Sequence, residues 1–117
     1  MNVNLSQTIS FQCDNPEDLK TIMQMMSDWD EKQSDNDVMG YMGTHLLADR
    51  DNPGHYLVVA EFGVIDPDVS AYDEAMRNND RPETQEFAEK MREIIDGEPE
   101  WGHFDEIYRT GFGASAF

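Results

Sequence analysis

Three histidines are the side chains best suited to acid–base chemistry in this chain, because histidine is the residue type that gains and loses a proton near neutral pH. His45 and His103 lie in stretches with the pattern of strands, and His55 directly follows a turn. Their spacing matches no metal-ligand motif, so we expect no metal site and no bound cofactor. His45 and His103 are therefore the candidate general acids or bases.

Other side chains could complete such a site. A base that removes a proton from a substrate leaves an anion, which a hydrogen-bonding amide or a cation stabilises. Asn78 and Arg50 are candidates for that role. Five further side chains could line a pocket for a small aromatic or apolar molecule: Trp29, Tyr41, Tyr72, Met76 and Trp101. The same residue types also fill ordinary cores, and both interpretations are open at this point.

The signatures of several common enzyme classes are missing from the sequence. It contains no G-x-S-x-G nucleophile elbow, no phosphate-binding P-loop and no dinucleotide-binding G-x-G-x-x-G. The single cysteine, Cys13, has no basic neighbour in the sequence that would favour its thiolate. The motifs therefore favour none of these classes.

The start of the chain predicts a strand and a helix. Residues 3–12 alternate between apolar and polar side chains, with Gln7 the exception on the apolar face, and the polar face carries no charge. Residues 14–17 have the composition of a helix start, and apolar side chains follow at helical spacing as far as Trp29. The polar run over residues 28–37 predicts a loop.

A hairpin follows this loop. Residues 38–50 and the stretch HYLVVAEFG predict two strands, joined by a turn over residues 51–54. Gly40 and Gly43 lie inside the first of these strands. A glycine in a strand marks a bulge, a bend or a close approach of another segment.

The second half of the chain predicts an interrupted helix and a last strand. The helical region begins at residues 65–68, breaks at residues 78–80, restarts at Arg81-Pro82 and ends at Gly97. Glu98-Pro99 is interpreted as a linker before a bulged strand that starts at Trp101.

The element order is therefore β-α-β-β-α-β. It predicts the ferredoxin-like α+β fold, in which two helices cover one face of a four-stranded antiparallel sheet. We expect a single domain over residues 1–112 and a C-terminal tail over residues 113–117.

Composition narrows the range of partners. The formal net charge of −17 disfavours nucleic acids and anionic membrane surfaces. The sequence shows no apolar run of membrane-spanning length and no signal-peptide pattern, and a single cysteine fits a reducing compartment, so we expect a cytoplasmic protein.

The charges also indicate an assembly. Eight acidic and two basic residues lie in residues 14–37 and twelve and four in residues 66–100, whereas the predicted strands are nearly uncharged on both faces. An uncharged, partly apolar sheet face without helices favours burial against a second copy. The sequence therefore predicts a homodimer through its sheet faces.

Several stretches resemble a known group of proteins, the dimeric α+β barrels, and within it the antibiotic-biosynthesis-monooxygenase-like branch. The resemblance is carried by HYLVVAEFG, Ser70-x-Tyr72-x-Glu74-Ala75-Met76-x-Asn78, Arg81-Pro82-Glu83-Thr84 and Phe87-Ala88-x-x-Met91. It is similar to a pattern in small actinobacterial-type proteins, with Asp73 before Glu74 and with Asn79 where a serine is usual.

The resemblance implies a range of functions. Members of the wider group include cofactor-independent oxygenases acting on aromatic polyketides, haem-degrading enzymes and non-catalytic proteins. Haem degraders of the group use a helical histidine as ligand, and residues 66–96 contain no histidine, which disfavours haem. We expect either a cofactor-independent oxygenase for a small aromatic or polyketide-like substrate or a non-catalytic binding or dimerisation domain.

Overall fold

The structure, a computed structural model, describes residues 3–35 and 40–111. Four strands and three helices lie within these ranges: β1 (Leu5–Gln12), α1 (Pro16–Asp35), β2 (Tyr41–Ala48), β3 (His55–Phe62), α2 (Ala71–Asn79), α3 (Pro82–Ile94) and β4 (Asp96–Asp105). The predicted tail over residues 113–117 lies outside the described residues. In the described part of the chain, no helix combines the length and the apolar character needed to cross a membrane.

The four strands form one antiparallel sheet in the order β2-β3-β1-β4. This order places the first strand beside the third and the fourth, as in a ferredoxin-like fold. The predicted α+β architecture is confirmed, with the second helix divided into α2 and α3.

The sheet has two faces of different character. Ile9 faces the same way as its partners Val58 and Trp101, and the neighbouring Thr8 faces the opposite way with Val59 and Gly102. We call the first the covered face, because the helices pack on it, and the second the open face. The alternation predicted for the first strand is confirmed, since the four covered-face side chains of β1, including Gln7, are buried.

The helices cover the sheet through two groups of buried side chains. In one, Ile22 of α1 and Met91 of α3 pack with Ile9, Phe11 and Val58 of the sheet. In the other, Ala71 and Ala75 of α2 pack with Leu5, Ala60 and Phe62. Small side chains on α2 allow its backbone to lie close to the sheet.

Two glycines shape the entry to β2. Gly40 has a φ of +78°, and a Cβ atom added there would lie 2.4 Å from the carbonyl oxygen of Gly63. Gly43 lies where the pairing of β2 with β3 shifts register between Tyr41 and Gly43. The predicted close approach and bulge are thus both present, and the bulge changes which face the later residues of β2 occupy.

Three predicted boundaries were wrong. Helix α1 continues to Asp35 through the polar run that was expected to form a loop, because Gln33 is buried on its inner side and glutamine, glutamate and lysine are good helix formers. Helix α2 begins at Ala71, where the Ser70 hydroxyl accepts a hydrogen bond from the Asp73 N–H as an N-cap.

The third wrong boundary concerns the last strand. Helix α3 ends at Ile94, so the predicted helix end at Gly97 and the expected linker at Glu98-Pro99 both lie inside β4, which runs from Asp96 to Asp105. A proline is tolerated there because β4 is an edge strand. The bulge predicted from Trp101 onward lies earlier in β4, because the register shift occurs where Ser10 pairs with Glu100 and Gln12 pairs with Asp96.

Candidate functional site

A small cavity lies between the covered face of the sheet and helices α1 and α3. Its volume is about 30 Å³, which is room for one or two water molecules. Aromatic rings form much of its wall: Trp29, Phe87 and Trp101. Three polar side chains also face it, Gln7, Thr44 and Thr84. An apolar, aromatic wall with a few polar groups is typical of small-molecule sites.

Trp29 is held by contacts on several sides. Its indole Nε1 donates a hydrogen bond to Thr84 Oγ1 at 2.9 Å, which ties α1 to the first turn of α3. Its ring meets Tyr41 edge-on at a centroid distance of 5.3 Å and lies 6.2 Å from the ring of Phe87. These contacts hold the half-buried indole beside the cavity, because its N–H is bonded and its ring packs against two others.

Tyr41 extends this aromatic cluster but is not a base. Its hydroxyl contacts Asp30 Oδ1 at 2.5 Å and Thr44 Oγ1 at 2.7 Å. Burial, together with the hydrogen bond to the Asp30 carboxylate, raises the pKa of the Tyr41 phenol well above its ordinary value. Tyr41 therefore stays protonated and acts as a donor.

The break between α2 and α3 supplies the hydrogen-bond partner of Gln7, a polar residue that lines the cavity. The side-chain amides of Gln7 and Asn79 bond each other in both directions, at 3.2 and 3.0 Å. The backbone carbonyl of Asn79 accepts a further hydrogen bond from the side-chain amide of Gln85 at 2.6 Å. Gln7, the exception to the apolar pattern of the first strand, is thus a satisfied polar group on the covered face.

Asn78, a predicted site residue, is 2% exposed, and neither of its amide atoms has a hydrogen-bond partner among the described residues. Gln33 of α1 is 1% exposed and equally without a partner in that part of the chain. Sequence reasoning missed Gln33 because it lay in the presumed loop. Its position four residues after Trp29 was the signal that could have found it.

The structure separates the two candidate histidines. His103 pairs with Gln7 across β1 and β4 on the covered face, and its ring lies 5.6 Å from that of Tyr72 in an edge-on contact. His45 pairs with Val59 on the open face. It lines an open groove of about 660 Å³ between α1 and β2, together with Met23, Met26 and Met42. The two histidines do not meet.

The remaining predicted residues are also dispersed. Arg50 is exposed in the β2–β3 turn, and Met76 packs beside Ala71 and Ala75 in the second core group. Tyr72 is 46% exposed and reaches only His103 among the aromatic contacts described. Of the nine predicted site residues, Trp29 and Trp101 line the cavity. Their roles, and those of the others, stay predictions.

No group of three or more His, Cys, Asp or Glu side chains in residues 3–35 and 40–111 is placed to hold a metal ion. His55, the third histidine, lies at the hairpin, with Nδ1 at 3.6 Å from Asp49 Oδ2. The three imidazoles therefore lie at separate places on the sheet.

The fold and the cavity define the class of protein: a ferredoxin-like α+β domain with an aromatic-lined cavity between its sheet and its helices. Solved structures share this fold. One is SnoaB of Streptomyces nogalater, a cofactor-independent oxygenase, with a TM-score of 0.67 and 16% identity over 92% of this chain and 96% of that one. Another is a candidate antibiotic biosynthesis monooxygenase of Caulobacter crescentus, with a TM-score of 0.70 and 13% identity over 92% of both chains.

A third is a conserved protein of Methanosarcina mazei Go1, with a TM-score of 0.69 and 14% identity over 89% of this chain and 93% of that one. No family model matches the chain, and no curated protein matches it significantly. The resemblance to antibiotic biosynthesis monooxygenases is thus confirmed at the level of the fold. At these identities the likeness concerns the fold, because one fold carries many functions.

Proposed function

We propose that the protein is a cofactor-independent oxygenase that acts on a small aromatic or polyketide-like substrate. The observation that carries the proposal is the cavity on the covered face, where Trp29, Phe87 and Trp101 surround the polar groups of Gln7 and Thr84. The shared fold with a cofactor-independent oxygenase adds support. The chemistry requires an apolar aromatic site with a base at its edge, and His103 lies beside Gln7.

The proposed reaction converts a phenol into a quinone. Overall, 1,5-dihydroxynaphthalene, C₁₀H₈O₂, reacts with O₂ to give the hydroxynaphthoquinone C₁₀H₆O₃ and H₂O. One oxygen atom enters the ring as a carbonyl, the other leaves as water, and the substrate supplies the four electrons. His103 removes the phenolic proton, and the Asn78 amide donates a hydrogen bond to the oxyanion. Trp29 and Trp101 hold the ring.

The small volume of the cavity bears on this proposal. A space of about 30 Å³ does not hold a naphthalene ring system. Trp101 is 39% exposed on the edge strand, and Met26 is a flexible side chain on the opposite wall. We expect these two side chains to move outward when a substrate enters.

We also propose that the protein is a homodimer formed through the open face. Leu47 is 45% and Phe104 61% exposed there, and Leu57 and Val59 lie between them in the sheet. Two acidic residues also lie on this face, Glu61 and Glu100, and Arg109 Nη2 lies 3.6 Å from the Glu61 carboxylate. Such a patch on a chain of net charge −17 is the part best suited to self-association.

The test is an oxygen-consumption assay with 1,5-dihydroxynaphthalene. We expect one O₂ consumed for each coloured quinone formed, at a rate proportional to protein concentration above the spontaneous reaction. His103→Gln is expected to reduce this rate to background, whereas His45→Gln, on the opposite face, retains it. Equal loss in both variants, or turnover by neither the wild type nor a variant, contradicts the proposal.

The second candidate function is a non-catalytic domain that binds a small apolar molecule or simply dimerises. The observation that favours it is the same small cavity, since a site used for catalysis must admit its substrate. Binding of an aromatic molecule without oxygen consumption would establish this alternative. Binding is measured by isothermal titration, and turnover in the oxygen-consumption assay.

A further inference from the structure

Two buried side-chain amides lie outside the hydrogen-bond network. Asn78 is 2% and Gln33 is 1% exposed, and all four of their side-chain polar atoms are without a partner in the described residues. By contrast, the buried amide of Gln7 is paired with Asn79. An unpaired buried amide destabilises a fold, so its presence calls for a reason.

Gln33 lies at one end of the helix–sheet layer. It follows Met26 and Trp29 at intervals of seven and four residues, so the three share a helix face. Side chains on a helix lean toward its N-terminus, which directs Gln33 back toward Trp29. One turn earlier, Asp30 bonds the Tyr41 hydroxyl at 2.5 Å. The spacing therefore places Gln33 on the side of α1 that carries Trp29, which packs against Tyr41.

Asn78, the second unpaired amide, lies on helix α2. It follows Ala71 and Ala75 at intervals of seven and three residues and shares their buried face. Those two alanines pack with Phe62, and Tyr41 packs against the same group. The rings of Tyr41 and Phe62 have centroids 5.8 Å apart. The helix spacing therefore turns both amides toward one aromatic cluster, which continues through Trp29 to the cavity, although neither amide lines the cavity itself.

We infer that the Gln33 and Asn78 amides recognise a neutral aromatic ligand that carries an N–H or O–H donor beside a carbonyl acceptor. Each amide offers both donors and an acceptor, which matches such a polar edge and not a hydrocarbon. The rings of Trp29, Tyr41 and Phe62, which meet edge-on, provide apolar aromatic surface for such a ligand. The inference rests on the proposed function and specifies its substrate class.

The charges around the site favour a neutral ligand. The Arg81 guanidinium on the α2–α3 break is held by the Glu83 carboxylate, with Nε at 2.6 Å from Oε1. The Asp30 carboxylate is bound by the Tyr41 hydroxyl. The protein as a whole carries −17, which repels anions. Burying an ion beside neutral amides would also cost its hydration.

The experiment compares two unreactive probes by NMR on the ¹⁵N-labelled protein. 2-Quinolinone has an N–H beside a carbonyl, and quinoline has the same two rings with only an acceptor. We expect 2-quinolinone to bind about tenfold more tightly. We also expect it to shift the side-chain NH₂ signals of Gln33 and Asn78, which quinoline leaves in place.

Three variants test which side chains cause the preference for 2-quinolinone over quinoline. Gln33→Met and Asn78→Leu keep the size of each side chain, and each is expected to reduce the preference to about twofold while quinoline binds as before. Gln24→Met is the matched control, because Gln24 lies on the same helix but is exposed and bonds Asp28. It is expected to change neither affinity. If a variant does not fold, the NH₂ shifts in the wild type provide the same test.

Each remaining outcome has a distinct meaning. Equal affinities of the two probes in the wild type, or a preference that survives both substitutions, overturn the inference and leave the proposed cavity intact. The inference is also overturned if the NH₂ groups show contacts to water only and their signals do not respond to 2-quinolinone. The amides would then bind structural water. Failure of both probes to bind contradicts the proposed function itself.

Discussion

Val58 and Val59 are neighbours in β3, yet they meet different surroundings. Val58 is 4% exposed and packs with Ile22 of α1. Val59 lies half-buried on the open face, opposite Thr8 and His45. The covered face and the helices on it enclose an apolar core that also contains buried polar side chains. The amide of Gln7 is hydrogen-bonded there, and the amide of Asn78 on α2 has no partner among the described residues. The open face mixes polar residues, including the acidic Glu61 and Glu100, with exposed Leu47 and Phe104.

This difference matches the two tasks that we propose for the sheet. Buried polar groups that need a partner indicate ligand recognition, because a protein gains no stability from leaving them unpaired. Half-exposed apolar and hydroxyl side chains without buried amides indicate a surface that meets another protein surface. Our proposals therefore assign the ligand to the covered face and the second copy to the open face. The following substitutions test that division.

The largest effect is expected from Val58→Asp. A carboxylate at this buried position, without a cation beside it, should lower the free energy of unfolding by more than about 3 kcal/mol. Val59→Asp, one residue away, should stay folded but lose the proposed dimer, because like charges would face each other across the interface. Urea unfolding and light scattering measure the two effects against the monomer mass of 13.4 kDa. A folded Val58→Asp protein would refute the assignment of faces.

The next effect concerns catalysis on the covered face. His103→Gln should lower the oxygenation rate by about 10²- to 10⁴-fold, as expected when a general base is removed. The glutamine keeps a polar side chain at the position that pairs with Gln7, so binding of quinoline should change little. Steady-state kinetics separate the two quantities. A rate within a factor of about three of wild type would remove His103 from the reaction.

Trp29→Phe should have an intermediate effect on stability. The phenyl ring cannot donate to Thr84 Oγ1, so the hydrogen bond of 2.9 Å is lost together with part of the packing on Tyr41. We expect a loss of about 1–3 kcal/mol in the free energy of unfolding. Trp101→Phe is the control, since that side chain is 39% exposed. Equal losses in the two variants would mean that the hydrogen bond contributes nothing.

Much of this architecture follows from sequence pattern alone. Alternation in residues 3–12 and helical spacing around Trp29, Ala75 and Met91 reflect burial on one face, which local sequence records directly. The polar run after Trp29 was misassigned because a single buried residue, Gln33, decides its structure. Residues 98–99 were misassigned because only pairing with β1 makes them a strand.

The roles of the two histidines could not be separated from the sequence. Counting alternate residues from Tyr41 places position 45 on the covered face. The bulge at Gly43 shifts the register by one residue and moves His45 to the open face. A bulge depends on pairing with β3, and no local pattern fixes its position. The pairing of His103 with Gln7 likewise depends on two strands distant in sequence.

A smaller effect, of opposite sign, is expected from Asn78→Leu. Replacing an unpaired buried amide by an apolar side chain of similar size should raise the free energy of unfolding by about 1 kcal/mol. Gln7→Leu should lower it by a similar amount, because it leaves Asn79 without its partner. Urea midpoints at unchanged m-value report both changes. Destabilisation by Asn78→Leu equal to that of Gln7→Leu would show that Asn78 is already satisfied.

The smallest effect is a pH dependence from Cys13, which is buried on the covered side. Burial raises the pKa of its thiol above the ordinary value of 9.0, and the nearby carboxylates of Asp18, Asp96 and Asp14 add to the shift. The folded protein then holds a proton that the unfolded chain releases, so stability should fall as pH rises above about 9. Cys13→Ala should remove this part of the slope. Urea unfolding at pH 8 and pH 10 measures it, and identical slopes in both proteins would contradict the shift.

The division of the sheet into a ligand face and an association face is tested most directly by intermolecular nuclear Overhauser effects. The measurement uses the ¹⁵N,¹³C-labelled protein with unlabelled 2-quinolinone. We expect contacts from the ligand protons to Trp29, Phe87 and Ala60, which line the cavity on the covered face. Contacts to Leu47, Val59 and Phe104 instead would place the ligand on the open face and contradict the account.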